Sequence, residues 1–145
     1  MTKKLRAVGY IRMGAGNQYN TFQIPDQEMK NYICSNEDWS FAGVYCDQTT
    51  SDDINNRLAL QDIMARARKN EFDVVVVRTM YIISPDEDVF YEIYRELKKH
   101  NIKIYFTCSE AYFPTCEREN LREKLNEMTS KMGELIYKRE KAYEN

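Results

Sequence analysis

Phe72-Asp73-Val74-Val75-Val76-Val77 is the stretch from which the fold can be read. Four successive β-branched residues favour extended backbone. An unbroken apolar run, as opposed to an alternating one, is what a central parallel strand covered on both faces requires. Helices are therefore expected on either side of it, and both flanks agree. Upstream, Arg57 to Lys69 carries Leu60, Ile63, Met64 and Ala67 on one helical face, with Asn56 placed to cap it. Downstream, Ser84-Pro85-Asp86-Glu87 has the form of a capping box with proline at the first helical position. The helix it opens runs to about Lys99 with Val89, Phe90, Ile93, Tyr94 and Leu97 as its buried stripe. His100 follows as a cap interacting with the helix dipole.

Working outward, Ile102 to Phe106 reads as another strand, and Ser40 to Cys46, ending in Asp47, as one before the valine run. Ile24 to Asn36 is a helix with Pro25 in its first turn and Met29, Tyr32 and Ile33 as its apolar stripe. Leu5 to Arg12 is the first strand. Strands alternating with helices across short connections imply right-handed crossovers and a mostly parallel sheet of four or five strands. Thr107 to Cys116 leaves open a short extra strand or a loop.

The first strand breaks into Gly14-Ala15-Gly16-Asn17, a sequence suited to a tight exposed turn. Arg12, just before it, is aimed at the mouth of the sheet, where open α/β folds bind ligands. The bland alternative is a flexible turn with an arginine reaching solvent.

The chain has 145 residues, 43% hydrophobic and 30% charged, enough for one globular domain with its own core. A net charge of −2 argues against a basic surface over the whole domain, so DNA binding by this segment alone is expected to be weak. Four scattered cysteines with no C-x-x-C, and one histidine, favour reduced, mostly buried thiols over disulfides or a metal site. No cofactor is expected. The opening Met-Thr-Lys-Lys-Leu-Arg runs straight into a strand, which gives the expectation of no leader, no membrane span and a cytoplasmic location.

From about Glu117 onward the chain reads as one long helix, with only Gly133 interrupting it. Residues 1–116 are thus expected to form the α/β body and 117–145 a helix about 40 Å long. Leu121, Leu125, Met128, Met132 and Leu135 recur at alternating steps of four and three, the spacing of a dimer seam. The competing reading packs its first half on the chain's own sheet.

Taken in order, Tyr10-x-Arg12, Gln18, Gln27, Trp39, Tyr45-x-Asp47, Ser51, Arg57, Leu60, Asp73 before the valine run, and Ser84 at a helix start resemble the catalytic domain of serine recombinases, the resolvases and invertases. The resemblance spans about residues 5 to 106 and implies a resolvase-like three-layer α/β sandwich. The closing helix fits the family's dimerisation helix. It also implies site-specific DNA recombination, and a partner in the form of a second copy or a related recombinase.

The departures fall on the chemistry. The family cuts DNA with a serine in a Tyr-x-Arg-x-Ser-Thr-x-x-Gln pattern; here Gly14 and Ala15 stand at the Ser-Thr positions and Gln18 is retained. Where the family has Asp-Arg-Leu-Ser-Arg, this chain has Tyr81-Ile82-Ile83-Ser84-Pro85. Phosphodiester transfer through a covalent link needs a nucleophile, and glycine offers none. It also needs cations where charge develops on phosphate, which Ile82 and Pro85 do not supply. Arg12 and Arg57 remain, either as phosphate-binding candidates or merely as partners of Asp47. The expectation is an inactive family member acting as a dimerising or regulatory module. Two alternatives stay open: an active strand-exchange domain using another nucleophile, with Tyr81 the residue to test, and a small anion- or phosphate-binding α/β module. Asp47, Asp52 and Asp53 read as a solvated charge cluster before a metal or phosphoacceptor pocket. Gly14-x-Gly16 lacks the third glycine of a dinucleotide fingerprint.

Overall fold

β3 (Val74–Val77) lies between β1 (Leu5–Arg12) and β4 (Lys103–Phe106), parallel to both. The computed structural model describes residues 3–13, 23–49 and 51–130 of the chain. Outside β1 runs β2 (Trp39–Asp47), also parallel, and outside β4 the two-residue β5 (Ala111–Tyr112), antiparallel, so the order is β2-β1-β3-β4-β5. The short extra strand in 107–116 is therefore present, and the sheet is the mostly parallel one expected.

Alternate valines face opposite layers. Val74 and Val76 join Ala7, Ile33, Trp39 and Tyr105 beneath α1 (Gln23–Ser35). Val75 and Val77 join the larger core beneath α2 (Leu58–Arg68) and α4 (Glu87–Lys99), where Phe90, Tyr94, Phe106 and Phe113 pack ring against ring. This is the three-layer sandwich. α1 sits so close to β1 that a Cβ on Gly9 would lie 2.3 Å from Met29 Cγ. Gly43, at φ +126°, lies in β2 where the pairing with β1 slips by one residue, a bulge only glycine accepts without strain.

The helix ends follow local chemistry, with corrections to the expected caps. α2 is not capped by Asn56, since 54–56 form a 3-10 turn and Arg57 occupies the cap position without a side-chain cap bond. Its free N–H groups are met by Asp47 at the end of β2, whose Oδ1 accepts from Ala59 N at 2.8 Å and Oδ2 from Leu60 N at 3.0 Å. α4 is capped by Asp86, two residues after the expected Ser84, because Asp86 accepts from the N–H of Asp88 and Val89. α2 and α4 each end on an asparagine in the left-handed region, Asn70 (φ 56°) and Asn101 (φ 61°). In both, the next N–H reaches back to a carbonyl five residues earlier, the bond of a Schellman turn. His100 is the C-cap residue of α4, with Nε2 3.6 Å from Glu96.

The closing helix starts later than expected. Residues 118–120 form a 3-10 turn, and the described part of the helix, α5, covers 121–130. Arg118 pairs with Asp88, and Arg122 with Glu87 at 2.7 Å, which pins this turn to the start of α4. Leu121 is fully buried in the chain's own core, so it is a core residue and not part of a dimer seam. Leu125 and Met128 are half-buried on the same cluster. Met132 and Leu135 lie outside the described residues. Of the four thiols only Cys116 is buried and Cys34 is exposed, so the expectation of mostly buried thiols does not hold; none forms a disulfide. Among the described residues no helix is long and apolar enough to cross a membrane.

Candidate functional site

The strand order reverses direction between β1 and β3, and their carboxyl ends form the crevice expected of such a switch point. An open cleft of about 580 Å³ occupies it. Tyr10, Arg12 and Met13 come from the end of β1, Arg78 and Thr107 from just after β3 and β4, and Glu28 and Tyr32 from the wall made by α1. Ile82, on the four-residue α3 (Met80–Ile83), closes the rim. Arg12, aimed at the sheet mouth in the sequence, lines this cleft together with Ile82, one of the altered pattern positions, whereas α3, Glu28, Arg78 and Thr107 carried no signal in the sequence.

Under the cleft lies a connected polar group. The Tyr10 hydroxyl donates to Asp47 Oδ2 at 2.7 Å and accepts from Arg57 Nε at 3.2 Å and Nη2 at 3.0 Å. Burial, then the bond to Asp47, raises the Tyr10 pKa above its ordinary value, against the opposing pull of Arg57. The hydroxyl is engaged on both sides, as donor to Asp47 and as acceptor from Arg57. Arg57 is 0% exposed. Its remaining N–H groups go to the carbonyls of Ile82 and Ile83 and to Asp52 Oδ1, the last at 3.4 Å. All five guanidinium N–H groups are thus committed within the chain. Arg57 reaches Asp47 through the Tyr10 hydroxyl, so of the two alternatives the direct pair with Asp47 is not the one seen for Arg57.

Arg12 is held by the loop after β2: Nε donates to Thr49 O at 3.1 Å, Nη2 to Ser51 O, and Nη1 lies 3.5 Å from Asp52 Oδ1. Asp52 Oδ2 accepts from Ser84 Oγ at 2.7 Å, and Ser84 Oγ accepts from Asp86 N at 3.0 Å. The aspartates are therefore not the solvated cluster expected. Asp47 is 5% exposed and Asp52 bridges two arginines and a serine, while exposed Asp53 caps the 54–56 turn. Nothing in Ser51-Asp52-Asp53 signals a partner 32 residues away; only the fold brings Ser84 there.

The altered pattern positions are split. Ile82 lines the cleft, whereas Tyr81 and Pro85 face a second cavity of about 220 Å³ with Arg122, Leu125 and Met128. Tyr81 is 66% exposed, and Arg78 reaches both cavities. Gly14 and Gln18 lie outside the described residues. Among the described residues no group of His, Cys, Asp and Glu is placed to hold a metal ion.

A doubly covered, mostly parallel sheet, a Tyr-x-Arg strand end at its switch point and a closing helix tied to the start of α4 fit the class of serine-recombinase catalytic domains. Residues 7–144 match the family described as Resolvase, N terminal domain, and the chain belongs to that family. Solved structures agree on the fold. A resolvase family site-specific recombinase from Streptococcus pneumoniae is 13% identical with a TM-score of 0.65, the match covering 94% of this chain and 99% of that one. The N-terminal catalytic domain of TP901-1 integrase is 16% identical with a TM-score of 0.59, covering 93% and 97%. The C-terminal catalytic domain of ISC1926 TnpA, an IS607-like serine recombinase, is 20% identical with a TM-score of 0.60, covering 70% of each chain. A search among curated proteins gave no match.

Proposed function

We propose that this chain is a resolvase-family domain without strand-cleaving chemistry, which serves site-specific DNA recombination as a dimerising, regulatory module. It pairs with a second copy or with an active relative. The observation that carries this reading is the commitment of Arg57, fully buried with every guanidinium N–H bonded inside the chain. A cation that stabilises phosphoryl transfer must meet the phosphate where charge develops. Ile82 and Pro85 bring no charge to the positions where the family has arginine, and Gly14 brings no nucleophile. What is retained is scaffold.

The association half of the reading rests on the closing helix. Leu125 and Met128 rest partly on the chain's own core, and Met132 and Leu135 continue the same four-three spacing. Because Met128 also serves the core, the test substitutes the two outer positions, Met132→Glu with Leu135→Glu. Sedimentation equilibrium at tens of micromolar is expected to give a dimer for the unaltered chain and a folded monomer for the double variant. An unaltered chain that stays monomeric, alone and when mixed with an active relative, refutes the module.

A further inference from the structure

The cavity of about 220 Å³ lies between α5, the start of α4 and the turn after β4, and it shares only Arg78 with the cleft at the sheet mouth. We propose that it binds a small aromatic acid, a single ring carrying one carboxylate. The ring lies against Met80, Phe106, Leu125 and Met128, and the carboxylate is met by Arg78 and Ser109. The inference does not depend on the loss of strand cleavage.

Ser109 is the observation that points to a ligand. It is 2% exposed and lines this cavity, and its Oγ is buried without a hydrogen-bond partner among the described residues. Buried hydroxyls are nearly always paired, because an unpaired one forfeits the hydration it had in the unfolded chain. The other buried polar side chains, Asp47, Arg57 and Ser84, all have partners. The turn that carries Ser109 is held beside Arg78, since Thr107 N donates to Val77 O at 2.9 Å and Cys108 N to Arg78 O at 3.1 Å. The exposed Arg78 side chain makes no ion pair among the described residues.

Size and charge fix the class of ligand. An apolar cavity of about 150 Å³ takes benzene, so this one has room for a ring with one small polar substituent. Leu125 and Met128 are half-buried and keep apolar surface to cover. Two of the four apolar wall residues are methionines, whose flexible side chains reshape around a guest. The charged residues lining the cavity are Arg78, Arg122 and Glu87. Arg122 and Glu87 offset each other in their 2.7 Å pair. One positive charge is left, which suits a monoanion.

The test titrates the full chain, its methionine methyl groups isotopically labelled, with sodium benzoate at constant ionic strength and follows it by NMR. Met80 and Met128 border this cavity and Met13 and Met29 the cleft, so the methyls that shift locate the site. Saturable shifts of Met80 and Met128 are expected, half-complete at or below about 1 mM. Benzamide has the ring without the charge and is expected to bind about fivefold more weakly, the modest gap that an exposed arginine supports. Acetate has the charge without the ring and is expected not to saturate. Arg78→Gln should abolish the preference for benzoate over benzamide and leave benzamide binding as it was. Ser109→Ala should weaken benzoate about fivefold without lowering the thermal midpoint of the unliganded chain, where the hydroxyl has no bond to lose. Shifts confined to Met13 and Met29, no approach to saturation, or acetate binding as tightly as benzoate overturns the proposal. So does unchanged benzoate binding in both variants. Benzoate affinity that falls as the chain concentration rises also overturns it, because a second copy then fills the cavity.

Discussion

Replacing Tyr10 with phenylalanine removes one oxygen, and three hydrogen bonds meet at that oxygen. The O–H donated to Asp47 at 2.7 Å is lost, and two N–H groups of the buried Arg57 guanidinium lose their acceptor. A hydrogen bond to a charged group contributes about 1.5–3 kcal/mol, and a buried donor left unpaired costs a comparable amount. Because the three bonds share one atom they do not add in full. Asp47 keeps the N–H groups of Ala59 and Leu60, which limits its share. The expected loss is about 3–5 kcal/mol, a large part of the roughly 5–15 kcal/mol that holds a domain together. At about 3 °C per kcal/mol for a chain of this size, the thermal midpoint should fall by about 10–15 °C. Urea unfolding followed by far-ultraviolet circular dichroism measures the change. Tyr105→Phe is the control, since among the described residues its hydroxyl meets only the neutral hydroxyl of Tyr32, at 3.2 Å, and about 1 kcal/mol is expected there. A Tyr10→Phe loss no larger than the control would refute the view that this hydroxyl ties β1, β2 and α2 together.

Two further outcomes follow from the packing and the charges. Gly9→Ala puts a Cβ against Met29 Cγ and is expected to destabilise by about 1–3 kcal/mol; adding Met29→Ala should recover part of that loss, and a doubly destabilised double variant would contradict the close approach of α1. The Asp73 carboxylate accepts from Arg6 N at 2.8 Å, Nε at 3.1 Å and Nη2 at 3.2 Å, and the Arg6 side chain is the main cause of its lowered pKa. A group whose folded pKa is depressed stabilises above its unfolded value, about 3.9, and that contribution disappears as pH falls through the lower folded value. Stability should therefore decline below about pH 4, less steeply in Asp73→Asn and, because the pair is partly exposed, less steeply at high salt; an identical acid limb in the variant would remove Asp73 from the explanation.

Most of the architecture is legible because it is written in local pattern. The valine run can only be a strand covered on both faces, and the periodic stripes of α2 and α4 dictate which faces they bury. Where long-range geometry decides, the pattern is silent. Asn56 has the right chemistry for a cap, but the end of β2 delivers Asp47 to the same N–H groups, and a carboxylate there is favoured by the helix dipole as well. Ser84-x-x-Glu87 satisfies the form of a capping box, yet Ser84 Oγ donates to Asp52, leaving Asp86 as the cap. Leu121 fits a seam by spacing, but the 3-10 turn before it and the Arg118 and Arg122 ion pairs press it into the core. Of the candidate site, Arg12 and Arg57 were nameable from their positions; their convergence on Asp52 was not, because β1, a surface loop and α2 meet only in the folded sheet.

The most direct test of the central claim is strand cleavage. The chain is incubated with supercoiled plasmid carrying the sites of an active family recombinase, quenched in denaturant, and run on a denaturing gel with and without protease. The account predicts no nicked or linear product and no DNA end retarded by attached protein, both for the unaltered chain and for Gly14→Ser, since Ile82 and Pro85 still leave the phosphate without cations. A protein-linked DNA end formed by the unaltered chain, and lost in Tyr81→Phe, would contradict it and identify the nucleophile.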